Sequence, residues 1–184
     1  MRERKAKKIR YPHKIILVIC EGETEKNYVE TLRWHYRLPI TIKSKVMGNK
    51  INNRLVSQFV KELSPDNPAD VILFYMYDAD VDVIVEKLKK LTGTPLISNP
   101  CIELWYLLHG RIHSRAINSK EALSCLISSE PWKEYKKGEL NSTQKQFLLA
   151  NKGIASTRAK ELKESHNPST NIYLLLDILD KMKS

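Results

Sequence analysis

The chain has 184 residues, of which 42% are hydrophobic and 28% charged, and it carries a net charge of +10. This length and composition predict one soluble globular domain with a core of its own and exclude an intrinsically disordered chain. No apolar run is long enough to span a bilayer and no apolar signal core follows the basic N-terminus, so we expect a cytoplasmic protein without a membrane partner.

The cysteine pattern favours a reducing compartment. The three cysteines are Cys20, Cys101 and Cys125, and no two of them form a CxxC pair. An odd number of cysteines without such a pair favours reduced thiols over a disulfide framework or a zinc site.

The positive charge is dense in residues 1–10, ahead of the first predicted strand, where six cations accompany one anion. Such an excess indicates a polyanionic partner, and a merely soluble basic protein is the alternative. We interpret the stretch as a basic flexible arm that contacts phosphates, with a disordered solubilising tail as the alternative. The phosphate contacts assigned to the arm are Arg4, Lys7, Lys8 and Arg10.

The first predicted strand ends in acids. The uninterrupted apolar run from Ile15 to Ile19 is typical of a strand buried on both faces, as in a parallel sheet. Gly22 follows as a turn residue, and Thr24 is predicted to cap a helix over 25–36. Glu21 therefore lies at the carboxyl end of a buried strand, which is where open α/β sheets place their chemistry.

The remaining chain alternates strands and helices up to Gly110 and then becomes helical. Asn99 and Pro100 predict a helix start, and Asp82 is interpreted as a helix cap. We therefore expect an α/β fold with an open, mainly parallel sheet over residues 11–110, and a helical C-terminal part over 111–184 packed on it as a single domain. The predicted strands are 40–47, 71–77 and 95–98, and the predicted helices are 52–63, the segment after Asp82, the segment from Asn99 to about 110, 119–128, 141–150, 155–165 and 169–182.

Asp78 and Asp80 follow the second buried strand and are predicted to point to the same side if the strand geometry continues. If this strand neighbours the first, three carboxylates meet at one edge with Glu21, and Mg²⁺ or Mn²⁺ would relieve their repulsion. An EF-hand loop is excluded because its glycine and glutamate positions hold Val83 and Lys89.

These residues carry a resemblance to known proteins. Glu21-Gly22 with Asp78-Ala79-Asp80 resembles the Toprim domain of topoisomerases, primases and OLD-type nucleases. The longer stretches 21–28, 98–109 and 167–173 resemble the RloB-like family, Toprim-type proteins found beside restriction and other phage-defence genes. The chain departs from that family at Ile102, commonly aromatic, and at Gly110, commonly another apolar residue.

The resemblance implies Mg²⁺- or Mn²⁺-dependent phosphodiester hydrolysis of RNA or DNA in anti-phage defence. It assigns catalysis and metal binding to Glu21, Asp78 and Asp80, with Glu25 and Glu103 for a second metal or for orienting the first. No Walker-type phosphate loop is present, so ATP hydrolysis would come from a partner ATPase encoded nearby.

Several residues keep two interpretations. Glu103 either serves a metal or complements the dipole of its helix, and His109 either contacts phosphate or caps the helix end. Arg158, on a predicted helix, is a candidate phosphate contact. The alternative function is a non-catalytic nucleic-acid-binding or regulatory subunit that acts with the ATPase.

Overall fold

The computed structural model describes residues 14–38, 41–63 and 70–183. The basic arm, with its assigned phosphate contacts Arg4, Lys7, Lys8 and Arg10, lies outside the described residues. Within the described part of the chain, no helix is both long enough and apolar enough to cross a bilayer.

The structure is an α/β fold built on one five-stranded sheet with strand order β2-β1-β3-β4-β5. The first four strands are parallel to one another and β5 is antiparallel to β4, which confirms the predicted α/β class with a mainly parallel sheet. The elements are β1 (Ile15–Cys20), α1 (Glu23–Tyr36), β2 (Thr41–Val46), a 3-10 turn (Gly48–Lys50), α2 (Asn53–Glu62), β3 (Val71–Asp78), α3 (Asp82–Lys89), β4 (Thr94–Asn99), α4 (Ile102–Gly110), α5 (Ser119–Ile127), α6 (Ser142–Lys160), β5 (Ser169–Thr170) and α7 (Tyr173–Lys183).

Strand β1 is flanked by β2 and β3, and all six of its residues are buried. A strand covered on both faces must be apolar throughout, which explains its unbroken hydrophobic run. The register pairs Cys20 with Met76, so β1 and β3 end side by side. The residues that follow the two strands are therefore neighbours in space.

The two faces of the sheet carry separate cores because successive side chains alternate between them. Ile16, Val18 and Phe74 belong to the larger core, which includes residues of α1 and α4–α7. Leu17 and Tyr75 belong to the smaller core, under α2 and α3. The helical C-terminal part thus packs on the same face as α1.

Three helix starts differ from the predicted ones. Helix α1 begins at Glu23, with Gly22 as its N-cap, and Thr24 instead accepts a hydrogen bond at Oγ1 from the distant Gly138 N–H. Helix α4 begins at Ile102, because Asn99 still belongs to β4. Asp82 is likewise the first residue of α3, and the cap is Val81.

The C-terminal part also differs from expectation in two places. The two helices predicted over 141–150 and 155–165 form the single helix α6, which continues through Gly153. The helix predicted from residue 169 begins at Tyr173, because Ser169 and Thr170 form β5 against β4. A two-residue strand is too short to leave a periodicity signal in the sequence.

Candidate active site at the carboxyl edge of the sheet

The edge where β1 and β3 end brings Glu21 and Asp78 together. The Oε2 of Glu21 accepts the backbone N–H of Asp78 at 2.9 Å, and the N–H of Glu21 donates to the carbonyl of Met76 at 3.0 Å. Two acids that are 57 positions apart in the chain are thus directly joined.

Two further carboxylates reach the same edge from helix N-termini. Asp78 Oδ1 accepts the N–H of Ile102 at 2.9 Å, which ties β3 to the first turn of α4 and to the adjacent Glu103. Glu25, in the first turn of α1, accepts the N–H of Gly22 at 2.9 Å through Oε2. Glu103 is 0% exposed and Glu25 is 5% exposed.

The neighbouring carboxylates affect the pKa values of Asp78 and Glu25. Burial raises the pKa of Asp78 to about 9, and the charges of Glu25, Glu103 and Glu21 add to that rise. Burial, with the charges of Glu21 and Glu103, also raises the pKa of Glu25. Like charges act on a pKa only at short range, which agrees with the hydrogen bonds that join Glu21 to Asp78 and tie Asp78 to Ile102, next to Glu103. We call Glu21, Glu25, Asp78 and Glu103 the carboxylate edge.

Asp80 lies at the margin of this cluster. Strand β3 ends at Asp78, so the strand geometry on which a shared direction of Asp78 and Asp80 depended does not extend to Asp80. Asp80 is exposed in the following bend. Burial raises the pKa of Glu21, and the charge of Asp80 contributes to that rise.

The segment between α5 and α6, residues 128–141, supplies groups that the sequence analysis missed. The Tyr135 hydroxyl donates to Glu103 Oε1 at 3.1 Å, and the Lys137 Nζ lies 3.5 Å from the same oxygen. Gly138 is held on α1 by hydrogen bonds with Thr24 and Asn27. No local motif marks Tyr135 or Lys137, because their partner lies more than thirty positions away.

The second oxygen of Glu103 is unsatisfied. Oε2 is buried and has no hydrogen-bond partner among the residues that the structure describes. Cys101 is not an anionic neighbour, because burial and the charge of Glu103 raise the pKa of its thiol to about 12. A buried acceptor without a partner costs folding free energy and marks a place for a donor or a cation.

The carboxylate oxygens suit a hard divalent cation chemically. Across the described residues, however, no group of three or more His, Cys, Asp or Glu side chains is arranged to hold a metal ion. In each of three acids, Glu21, Glu25 and Asp78, one carboxylate oxygen accepts a backbone N–H. The other oxygen of each carboxylate could ligate a cation. The donor set is therefore present at the edge, but it is not gathered into a coordination shell.

The side chains of His109 and Arg158 contact backbone carbonyls of helix α4. His109 is 2% exposed, and its Nδ1 lies 2.8 Å from the carbonyl of Trp105. Arg158 Nη1 donates to the carbonyl of Leu108 at 2.7 Å. So deeply buried an imidazole does not favour contact with a polyanion, and the phosphate contacts considered for His109 and Arg158 stay predictions.

A family model described as RloB-like protein matches residues 16–179. The chain belongs to the RloB-like family. The match includes both acid-bearing strands, the α5–α6 segment and most of α7 of this RloB-like protein. Searches of curated proteins and of solved structures found no match. The Toprim relationship therefore remains a prediction from the sequence motifs.

Proposed function

We propose that this RloB-like protein is a divalent-cation-dependent nuclease of RNA or DNA that acts in anti-phage defence. The observation that carries the proposal is the carboxylate edge, where Glu21 and Asp78 are joined through a hydrogen bond at 2.9 Å and the charges of Glu25, Glu103 and Glu21 help to raise the pKa of Asp78. Clustered buried acids are costly without a compensating charge, and such clusters are typical of functional sites.

The cation would be held by Glu21 and Asp78, with Asp80 at the margin and Glu25 and Glu103 behind them. The unpartnered Oε2 of Glu103 supports this assignment, because it is a hard oxygen donor that lacks a partner. Bound Mg²⁺ or Mn²⁺ supplies charge against the scissile phosphate and lowers the pKa of an attacking water.

The chain's own groups account for proton transfer and for phosphate binding. Glu21 is half-buried and burial raises its pKa, so its carboxylate is a stronger base than that of a fully exposed glutamate and could accept a proton from water. Lys137 is 54% exposed and ion-paired with the buried Glu103, which fixes a cation at the edge where a phosphate would arrive. The net charge of +10 favours association with the polyanion.

The test is incubation of the purified chain with labelled tRNA, single-stranded DNA and plasmid, in Mg²⁺, Mn²⁺ or EDTA. We expect cleavage with metal that falls by about a hundredfold or more in Glu21→Gln and Asp78→Asn. Both amides keep the oxygen that accepts the backbone N–H of Asp78 or of Ile102, so the edge retains its hydrogen bonds.

The matched control is Glu23→Gln, in the same stretch of chain. Glu23 is exposed and pairs with Lys26 at 3.0 Å, so its amide variant should cleave as the wild type does. Cleavage that survives in both edge variants, or that persists in EDTA, would contradict the proposal. Salt-sensitive binding without cleavage in the wild type would instead identify a nucleic-acid-binding module, and co-purification of an ATPase would identify a regulatory subunit.

A further inference from the structure

A cavity of about 390 Å³ lies between α3, β4 and the segment that joins α6 to α7. Its lining includes Ala79, the residue between Asp78 and Asp80. A cavity of this size accommodates a small planar group, and Ala79 connects its wall to the end of β3, which carries Asp78.

The floor of the cavity combines apolar surface with free polar groups. Pro95, Ile97 and Asn99 are alternate residues of β4 and face the cavity together. Ser169 is the register partner of Asn99 in β5. Within the described residues neither the Asn99 nor the Ser169 side chain has a hydrogen-bond partner, so both remain available to a ligand.

The charges around the cavity restrict the ligand. Asp82, Glu86 and Glu164 line it, and the lining cation Lys89 is already paired with Glu86 at 2.8 Å. This excess of carboxylates opposes a phosphate inside the cavity. A neutral group that presents both hydrogen-bond donors and acceptors is not repelled.

We propose that the cavity receives one unstacked nucleobase of the nucleic-acid substrate while the adjoining phosphate stays at the carboxylate edge. This inference rests on the proposed function and specifies how the protein binds a base of its substrate. The Asn99 carboxamide offers one acceptor and two donors to a base edge. Ile97 and the ring of Tyr173 also line the cavity and offer apolar and aromatic surface to the base. One face of the Tyr173 ring is covered by Lys160 Nζ, 5.0 Å from the ring centroid, which leaves the other face for stacking.

The experiment measures nucleoside binding to the full chain in EDTA by ligand-observed saturation-transfer NMR. The probes are adenosine, guanosine, cytidine and uridine, with ribose 5-phosphate as the probe that lacks a base. We expect at least one nucleoside to bind in the millimolar range and ribose 5-phosphate not to bind. This measurement involves neither metal nor cleavage. A lack of nucleoside binding can therefore be distinguished from a lack of nuclease activity.

A matched pair of variants on α3 assigns the binding to the cavity. Val85 lines the cavity, so Val85→Trp should fill it and weaken nucleoside binding by about tenfold or more. Val83 is 75% exposed on the same helix and lies outside the lining, so Val83→Trp should bind as the wild type does. In the wild type, nucleoside should shift the backbone amide signals of Asn99, Ser169 and Tyr173.

Four results would each overturn the inference. One is the absence of binding by all four nucleosides, and another is binding of ribose 5-phosphate as tight as theirs. The third is a set of amide shifts that leaves Asn99 and Ser169 unmoved, and the fourth is an equal effect of Val85→Trp and Val83→Trp. The amide shifts use the wild-type chain, so they decide the matter even if Val85→Trp does not fold.

Discussion

The hydrogen bond from Tyr135 to Glu103 should be the main attachment of the α5–α6 segment to the carboxylate edge. Both residues are buried, with Glu103 at 0% and Tyr135 at 7% exposure, and the bond length is 3.1 Å. A hydrogen bond to a charged group contributes roughly 1.5–3 kcal/mol. Since Lys137 stays within 3.5 Å of the same oxygen, we expect Tyr135→Phe to lower the free energy of unfolding by about 2 kcal/mol.

The assay is urea unfolding followed by tryptophan fluorescence, since the Trp132 ring centroid lies 5.7 Å from that of Tyr135. The control is Tyr106→Phe in the same aromatic cluster. Its hydroxyl reaches the carbonyl of Thr24 only at 3.5 Å, so its loss should cost less than about 0.5 kcal/mol. A Tyr135→Phe protein as stable as the wild type, or two equally destabilised variants, would refute the reasoning.

A double-mutant cycle separates the hydrogen bond from the packing of the ring. Glu103→Gln removes the charge that the hydroxyl of Tyr135 meets, while it keeps an amide oxygen as acceptor. We expect the double variant Tyr135→Phe/Glu103→Gln to lose at least about 1 kcal/mol less than the sum of the two single losses. Additive losses would show that Tyr135 stabilises the fold by packing alone.

Three further predictions concern stability and reactivity. Burial lowers the pKa of His109 to about 4, below its value in the unfolded chain, so the unfolded state takes up the proton first as pH falls. Urea unfolding should show the wild type losing up to about 3 kcal/mol relative to His109→Asn between pH 7 and pH 4, and parallel pH profiles would contradict this. Gly153 lies exposed within α6 with nothing within 4 Å of an added Cβ, so Gly153→Ala should raise the thermal midpoint, with a gain of about 1 kcal/mol, whereas a loss would point to an unseen constraint. Cys101 is buried and Cys125 is partly exposed, so a thiol reagent on the native chain should label Cys125 first, as peptide mass analysis would show.

Much of the fold could be predicted from the pattern of hydrophobic residues. The apolar runs that became β1 and β3 were recognisable because strands covered on both faces have no polar positions. Helix starts were harder to predict from the sequence, because they depend on the tertiary contacts of the residues before the helix. Asparagine is common at helix N-caps, but Asn99 pairs with Ser169 and therefore belongs to β4.

The sequence by itself determined the α/β class and placed Glu21 and Asp78 at the carboxyl ends of two buried strands. The tertiary structure decided that those strands are neighbours and that the two acids therefore meet. Only the tertiary structure decided that Glu103 is fully buried, that Tyr135 and Lys137 contact it, and that His109 lies in the interior. Periodicity and strand ends are properties of neighbouring residues. Burial and the partners of a carboxylate depend on segments far away in the chain, so no local pattern reports them.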